Sequence, residues 1–272
     1  MAIVKMKRLR LIGLLPDRDG LLRELQRLGC VELSEPEPDP DDPIRETLAR
    51  PDGQALARAT EQYNTLNSAL EVLKKYAPAK GGLFTARPVL SEVEFFDNEV
   101  YARGLTTADE LLTGQREIEG LNAQRAKLEL QKAALAPWLA LDVPLELESD
   151  GTVSVVFGTV PARTEFTALE AELQSVSDLC QTFYAGKSQG LHCFLLVCHA
   201  SAEEALLTAL QPYGFNRVSM KGWTGTAVDN DRRLDGEMTG LDAQLKQSAE
   251  RLAGYADRRE ILQRSADRAA QD

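Results

Sequence analysis

Apolar residues recur at alternating spacings of three and four along three stretches of this chain. In the first, Leu56, Ala59, Tyr63, Leu66, Leu70, Leu73 and Ala77 form one stripe, the heptad seam of a helix that packs lengthwise on partners. The second, residues 107–135, continues the pattern at Leu111, Ile118, Leu121, Leu128 and Leu135, while Gly114, Arg125 and Lys132 take seam positions and leave its core leakier. The third runs from residue 229 to the end and aligns Leu234, Met238, Leu241, Leu245, Leu252, Tyr255, Leu262 and Ala266, with Ser248 and Arg259 as exceptions. As one continuous helix it would extend about 60 Å at 1.5 Å per residue. A narrow apolar stripe on so long a helix needs partners along its length, and the other two segments are the candidates. The same periodicity fits three separate helices of a compact bundle; the small α/β patterns at both ends of the helical region favour a stalk.

Period-two alternation takes over between the second and third helices. Residues 152–160 read as a strand, Pro161 opens a turn, and residues 165–175 form an amphipathic helix through Phe166, Leu169 and Leu173. Strands at 178–185 and 191–199 follow, separated by a turn over Gly186, Lys187, Ser188, Gln189 and Gly190. A helix at 202–210 and a strand at 215–220 complete a β-α-β-β-α-β order, the ferredoxin-like split pattern. The start of the chain is shorter in design: a strand at 7–14, a turn at Pro16 and Asp17, a helix at 20–28 and a strand at 30–33. Leu21, Leu22, Leu25 and Leu28 make the helix's apolar face, Asp17 is its candidate cap and Gly29 its stop. The EPEPDPDDP run at residues 35–43 is a solvated linker, since its prolines forbid regular structure and its carboxylates repel one another.

The fold class predicted is therefore α+β: two small α/β lobes, the distal one ferredoxin-like, joined by a long antiparallel helical coiled-coil stalk. Residues 1–48 and 79–106 form the two parts of the proximal lobe, and residues 143–225 form the distal lobe. The stalk takes residues 49–78, 107–142 and, as the return helix, 226–272.

Composition narrows the function. The 272 residues are 43% hydrophobic, ordinary for a globular chain, and carry a formal net charge of −11, which argues against nucleic acid and anionic lipid surfaces as main partners. Basic or neutral protein surfaces suit it better. Cys30, Cys180, Cys193 and Cys198 are too sparse and too embedded in apolar runs for a secreted disulfide framework and are read as reduced. The basic start at Lys5, Lys7, Arg8 and Arg10 lacks the apolar core and cleavage site of a signal peptide, and no run approaches the ~20 apolar residues of a membrane span. A soluble chain in the cytoplasm is expected.

Fragments of catalytic chemistry are present without their contexts. Gly186-Lys187-Ser188 resembles the end of a phosphate-binding loop, but Gln181 stands where that motif requires Gly, and a strand rather than a helix follows. His192, Cys193, Cys198 and His199 are zinc-type ligands. In a strand, however, His192 shares a face with Cys198 and Cys193 with His199, each pair separated by about 20 Å. No serine sits in a nucleophile elbow, and the scattered carboxylates are read as solvated helix faces. No catalytic, metal or cofactor site is predicted, and no partner-binding residues are singled out. Trp138 and Trp223 fall where the distal lobe meets the stalk and are read as junction packing.

The opening MAIVKMKRLRLIGL at residues 1–14, with DRDGLLRELQRLG at 17–29, resembles the start of subunit I (subunit a) of V-type ATPases and ATP synthases. So do Gly158-Thr159-Val160-Pro161 and the Gly225-Thr226 that introduces the return helix. In that family Pro commonly follows the Gly-Thr, where Ala227 stands here; Thr226 with Asp229 can still cap the helix. The resemblance covers the whole chain but only the family's N-terminal cytoplasmic part. A strand-rich return and a membrane domain with a proton-pathway arginine would come next, so a fragment is expected, meeting the membrane's cytoplasmic face only through that missing domain. The resemblance implies a non-catalytic collar-like stator without cofactors, whose lobes bind peripheral-stalk heterodimers of the E and G type within a proton-translocating complex. Two other classes fit the same features: a ligand-binding regulatory module built on the ferredoxin-like lobe, and a generic coiled-coil adaptor.

Overall fold

The computed structural model describes residues 6–34, 53–79 and 89–271, and falls into two units, Met1–Ala59 and Thr60–Asp272. The acidic prolyl run at 35–43 lies outside the described residues. In the first unit a single turn at Leu15–Asp17, with Pro16 near its start, leads into α1, Arg18–Leu28. Gly29 follows at φ +60° and ends the helix, a left-handed position that costs glycine little. The strands expected at 7–14 and 30–33 are not formed. Leu9, Leu11, Ile12 and Leu14 stay exposed, because a strand gains stability only from a neighbour that takes up its N–H and C=O groups.

Helix α2 spans Gly53–Tyr76, and its residues from Thr60 onward belong to the second unit. A short α3, Glu92–Phe95, opens on a capping box between Ser91 and Glu94. Helix α4 then runs over Asn98–Leu135, capped by Asp97 Oδ1, which accepts from the N–H groups of Glu99 (2.8 Å) and Val100 (3.3 Å). It begins at Asn98 rather than Thr107, since its first turns are built from Gly104, Thr107 and Ala108, small residues that leave no leucine signature. The return segment is not the single helix the periodicity suggested. Helix α7, Ala227–Ala253, passes through a tighter 3-10 stretch at Gly254–Arg258 before α8, Arg259–Ala269. Gly254, a weak helix former, stands where the winding changes.

Side-chain pairs fix the helix directions. Glu110 meets Arg258, Glu117 meets Arg251, Arg125 meets Asp242 and Lys132 meets Asp235. Each step forward in α4 is thus a step back in the return segment, and the two run antiparallel. Helices α2 and α4 run the same way: Tyr76 Oη donates to Gln115 Oε1 and Tyr101 Oη to Gln62 Oε1, both at 2.8 Å and both across 39 residues. Leu66, Leu73, Leu111, Ile118, Leu252 and Leu262 form the core among these helices. Leu56 and Tyr63, counted in the sequence seam, are exposed.

The sheet comprises β1 (Val153–Pro161), β2 (Cys180–Ser188), β3 (Leu191–His199) and β4 (Asn216–Arg217), in the order β2-β3-β1-β4 with every pairing antiparallel. Helix α5 (Phe166–Val176) follows β1 and α6 (Glu203–Leu210) follows β3. The β2–β3 hairpin turns on Gln189 and Gly190, both at positive φ, so it is a tight two-residue connection rather than the five-residue turn expected. The last strand is two residues long, against an expected 215–220. Both faces of the sheet are covered. Val156, Val160, Phe194, Leu196 and Cys198 pack under α5 and α6, while Val155, Phe157, Cys193 and Leu195 face the ends of α4 and α7. This explains why the middle of β3 is an unbroken apolar run. Among the described residues no helix is long and apolar enough to cross a membrane.

Candidate functional site

The residues that looked chemical in the sequence are dispersed or structural. Lys187 and Ser188 lie in β2, opposite His192 and Leu191, with no helix N-terminus following them. His192 and Cys198 point to the α5/α6 side and Cys193 to the other. The His192 ring lies beside Phe166, and its Nδ1 is 3.1 Å from Tyr184 Oη. His199 Nδ1 accepts from the backbone N–H of Ser201 at 3.3 Å and so caps the turn Ala200–Ala202. Burial pushes the Cys180, Cys193 and Cys198 thiols up, with Asp178 adding to the effect at Cys180 and Glu203 at Cys198. All three are mostly protonated thiols at neutral pH, not activated thiolates.

What the second unit does assemble is a braced helix pair spliced into a sheet. The three exceptions in the second seam are the braces. At Gly114 an added Cβ would lie 2.6 Å from Leu252 Cδ2, so the missing side chain is the hole that Leu252 fills. Arg125 Nε donates to Asp242 at 2.8 Å, and the Asp242 carboxylate, with Glu129 behind it, holds the guanidinium above its usual range. Lys132 lies between Asp235 and Asp231, which raise its ammonium pKa, Asp235 the more. The exception Arg259 in the third seam donates to the Ala77 carbonyl just beyond α2, placing a cation where that helix's dipole is negative.

The splice is built from the chain just beyond α4 and just before α7. Trp138, 3% exposed, meets the Phe157 ring edge-on at 5.6 Å, and Trp223 packs partly buried against the same cluster. A Cβ on Gly186 would lie 2.8 Å from the Pro137 carbonyl oxygen, so glycine at the β2 bulge lets the 136–138 turn press on the sheet. Leu145 N–H donates to Gly225 O at 2.9 Å, Gly225 N–H donates to Glu146 Oε2 at 2.7 Å, and Pro144 bridges to Thr226. Helix α7 then opens on a capping box in which Thr226 Oγ1 accepts from the Asp229 N–H at 3.1 Å. The Thr226 hydroxyl and N–H in turn hold the Asp229 carboxyl below the usual aspartate range. Buried Asn230 donates to the carbonyls of Thr224 and Thr226 at 2.8 and 2.9 Å. Seam arithmetic located Arg125 and Lys132 but not their partners, and nothing in the sequence singled out Asn230 or Glu146.

No protein-family model matches this chain, and no curated protein matches it. Among solved structures it is similar to the cytoplasmic N-terminal domain of subunit I, homologue of subunit a, of V-ATPase. The identity is 18%, the match covers 94% of this chain and 86% of that one, and the TM-score is 0.49. A likeness at that identity and score carries no functional argument.

Proposed function

We propose that this chain is a non-catalytic stator component of a rotary V-type ATPase or ATP synthase, working at the cytoplasmic face of the membrane. In this reading peripheral-stalk heterodimers of the E and G type bind the lobe at residues 143–225, which is ferredoxin-like. Helix α4 and the return segment form an antiparallel coiled-coil stalk that transmits load toward the proton-translocating sector.

The observation that carries the reading is the fixed-register pairing of α4 with α7 and the 3-10 stretch after it, marked by four ion pairs from Glu110–Arg258 to Lys132–Asp235. A stator must resist rotor torque without sliding. A helix pair whose cross-links recur along its length, and which runs directly into a sheet, is built for that load. The sequence resemblance at residues 1–29, 158–161 and 225–226 supports the same reading, and the net charge of −11 suits basic partner segments.

Calorimetric titration with a purified E/G-type heterodimer tests it. Saturable binding that weakens with added salt is the expected result, because charge complementarity is screened. A flat titration at both low and high salt overturns the stator role and leaves an adaptor of another kind.

A further inference from the structure

Two of the four cysteines stand opposite one another in the sheet. The β2–β3 register pairs Cys180 with Cys198, and both point to the face that carries α5 and α6, Cys198 at 3% exposure and Cys180 half-buried at the rim. One position further out, the His199 N–H donates to the Leu179 carbonyl at 3.0 Å, which makes Leu179 and His199 a hydrogen-bonded pair. Cys180 and Cys198 are therefore a non-hydrogen-bonded pair, with Cα atoms about 4.5 Å apart and side chains at their closest. Disulfides span Cα separations of about 4.4–6.8 Å, so a bridge here needs no large backbone movement. A side-chain rotation separates the two states. Cys180 Sγ is turned toward the carbonyls of Ser177 at 3.2 Å and Leu173 at 3.7 Å, weak thiol hydrogen bonds at the end of α5. Cys193 faces the opposite side of the same strand and does not compete in this geometry.

We infer that Cys180 and Cys198 form a redox-modifiable pair that a low-molecular-weight disulfide converts into an intrachain cross-strand bridge. The rim thiolate, Cys180, attacks one sulfur of the small disulfide; the S–S bond breaks, a mixed disulfide forms on Cys180, and the departing thiolate takes up the proton Cys180 lost. Cys198, as thiolate, then attacks the Cys180 sulfur and expels the second small thiolate, which takes the Cys198 proton. One small disulfide is reduced to two thiols, and the protein dithiol is oxidised. Burial keeps both cysteines mostly protonated, so the exchange is slow. The product ties the edge strand β2 to β3.

The test incubates the full chain, with Cys30→Ser to prevent links between molecules, in excess oxidised glutathione, followed by acid quench, alkylation and non-reducing peptide mapping. The expected product is a Cys180–Cys198 cross-linked peptide pair with Cys193 alkylated and free. Cys198→Ser should stop at a glutathione adduct on Cys180, and Cys180→Ser should leave Cys198 unmodified. A glutathione adduct that persists on Cys180 with Cys198 present overturns the inference. So does a bridge to Cys193, which would report exchange through the unfolded chain, or a lack of modification at both positions in a sample whose unsubstituted chain is glutathionylated at Cys30.

Discussion

Gly104 and Ser265 pack directly against one another where α4 meets α8, and their replacement predicts a change of sign. An ideal Cβ on Gly104 would lie 2.6 Å from Ser265 Cβ, an atom one bond from the backbone that no rotamer change can move. Gly104→Ala gains about 0.8–1.0 kcal/mol of helix propensity, but forcing a methyl into a filled interface costs about 1–3 kcal/mol. The steric cost outweighs the propensity gain, and the expected net effect is a loss of about 1 kcal/mol. Ser265 is 2% exposed and its Oγ has no hydrogen-bond partner, so Ser265→Gly forfeits little more than propensity, about 0.5 kcal/mol. With Ser265 gone the obstacle is gone, and Gly104→Ala in that background should stabilise by about 1 kcal/mol. The readout is urea unfolding followed by far-UV circular dichroism across the four-protein cycle, with a coupling of about 1–3 kcal/mol between the sites. If Gly104→Ala stabilises equally in both backgrounds, the two residues are not in contact and the antiparallel register of α4 and α8 is refuted.

Three further outcomes follow from the same contacts. Lys132→Glu places a third carboxylate beside Asp231 and Asp235 and should lower the melting temperature at low salt, an effect that shrinks in high salt; a salt-independent loss would mean that packing, not charge, is what Lys132 supplies. Trp138→Ala should cost about 3–5 kcal/mol in unfolding free energy, whereas Trp138→Phe, which keeps an aromatic ring against Phe157, should cost clearly less in urea unfolding; similar losses for the two would contradict the edge-on packing on Phe157. Thr226→Ala should cost about 1 kcal/mol. Because the Asp229 carboxyl is held below its ordinary value by Thr226, its contribution is present above the aspartate range and is lost as pH falls through the depressed value. The gap between wild type and Thr226→Ala in acid unfolding should therefore narrow below that range, and a constant gap would refute the capping box.

Large apolar residues made most of the helices and the β-α-β-β-α-β order legible, because 3.6 and 2.0 periods survive without tertiary information. The same signal missed the first turns of α4, where close approach is achieved with Gly104, Thr107 and Ala108. It also could not tell that α2 and α4 are parallel, since a stripe looks the same in either direction and only the two Tyr–Gln hydrogen bonds orient the pair. At residues 7–14 alternation was read as a strand, and no strand forms there. The seam exceptions were legible as positions and opaque as chemistry: Gly114, Arg125 and Lys132 counted as weaknesses until Leu252, Asp242 and Asp235 arrived from far along the chain. The pairing of Cys180 with Cys198 depends on a two-residue turn at Gln189 and Gly190 together with the one-residue bulge between Tyr184 and Gly186, and neither was legible in the sequence.

The junction at Pro144 and Thr226 bears on what motions the second unit can make. A domain hung on one covalent connection can swivel about it, since a single bond path leaves rotation about its own axis unopposed. Here the chain crosses twice, outward after α4 and back before α7, and the two crossings are bonded to each other through Leu145, Glu146 and Gly225. Two tied crossings define a line rather than a point, so swivelling would shear those hydrogen bonds, while bending across the line leaves them intact. That bending in turn would lift the sheet off Trp138 and the 136–138 turn, so the packed face opposes the one motion the hydrogen bonds leave open.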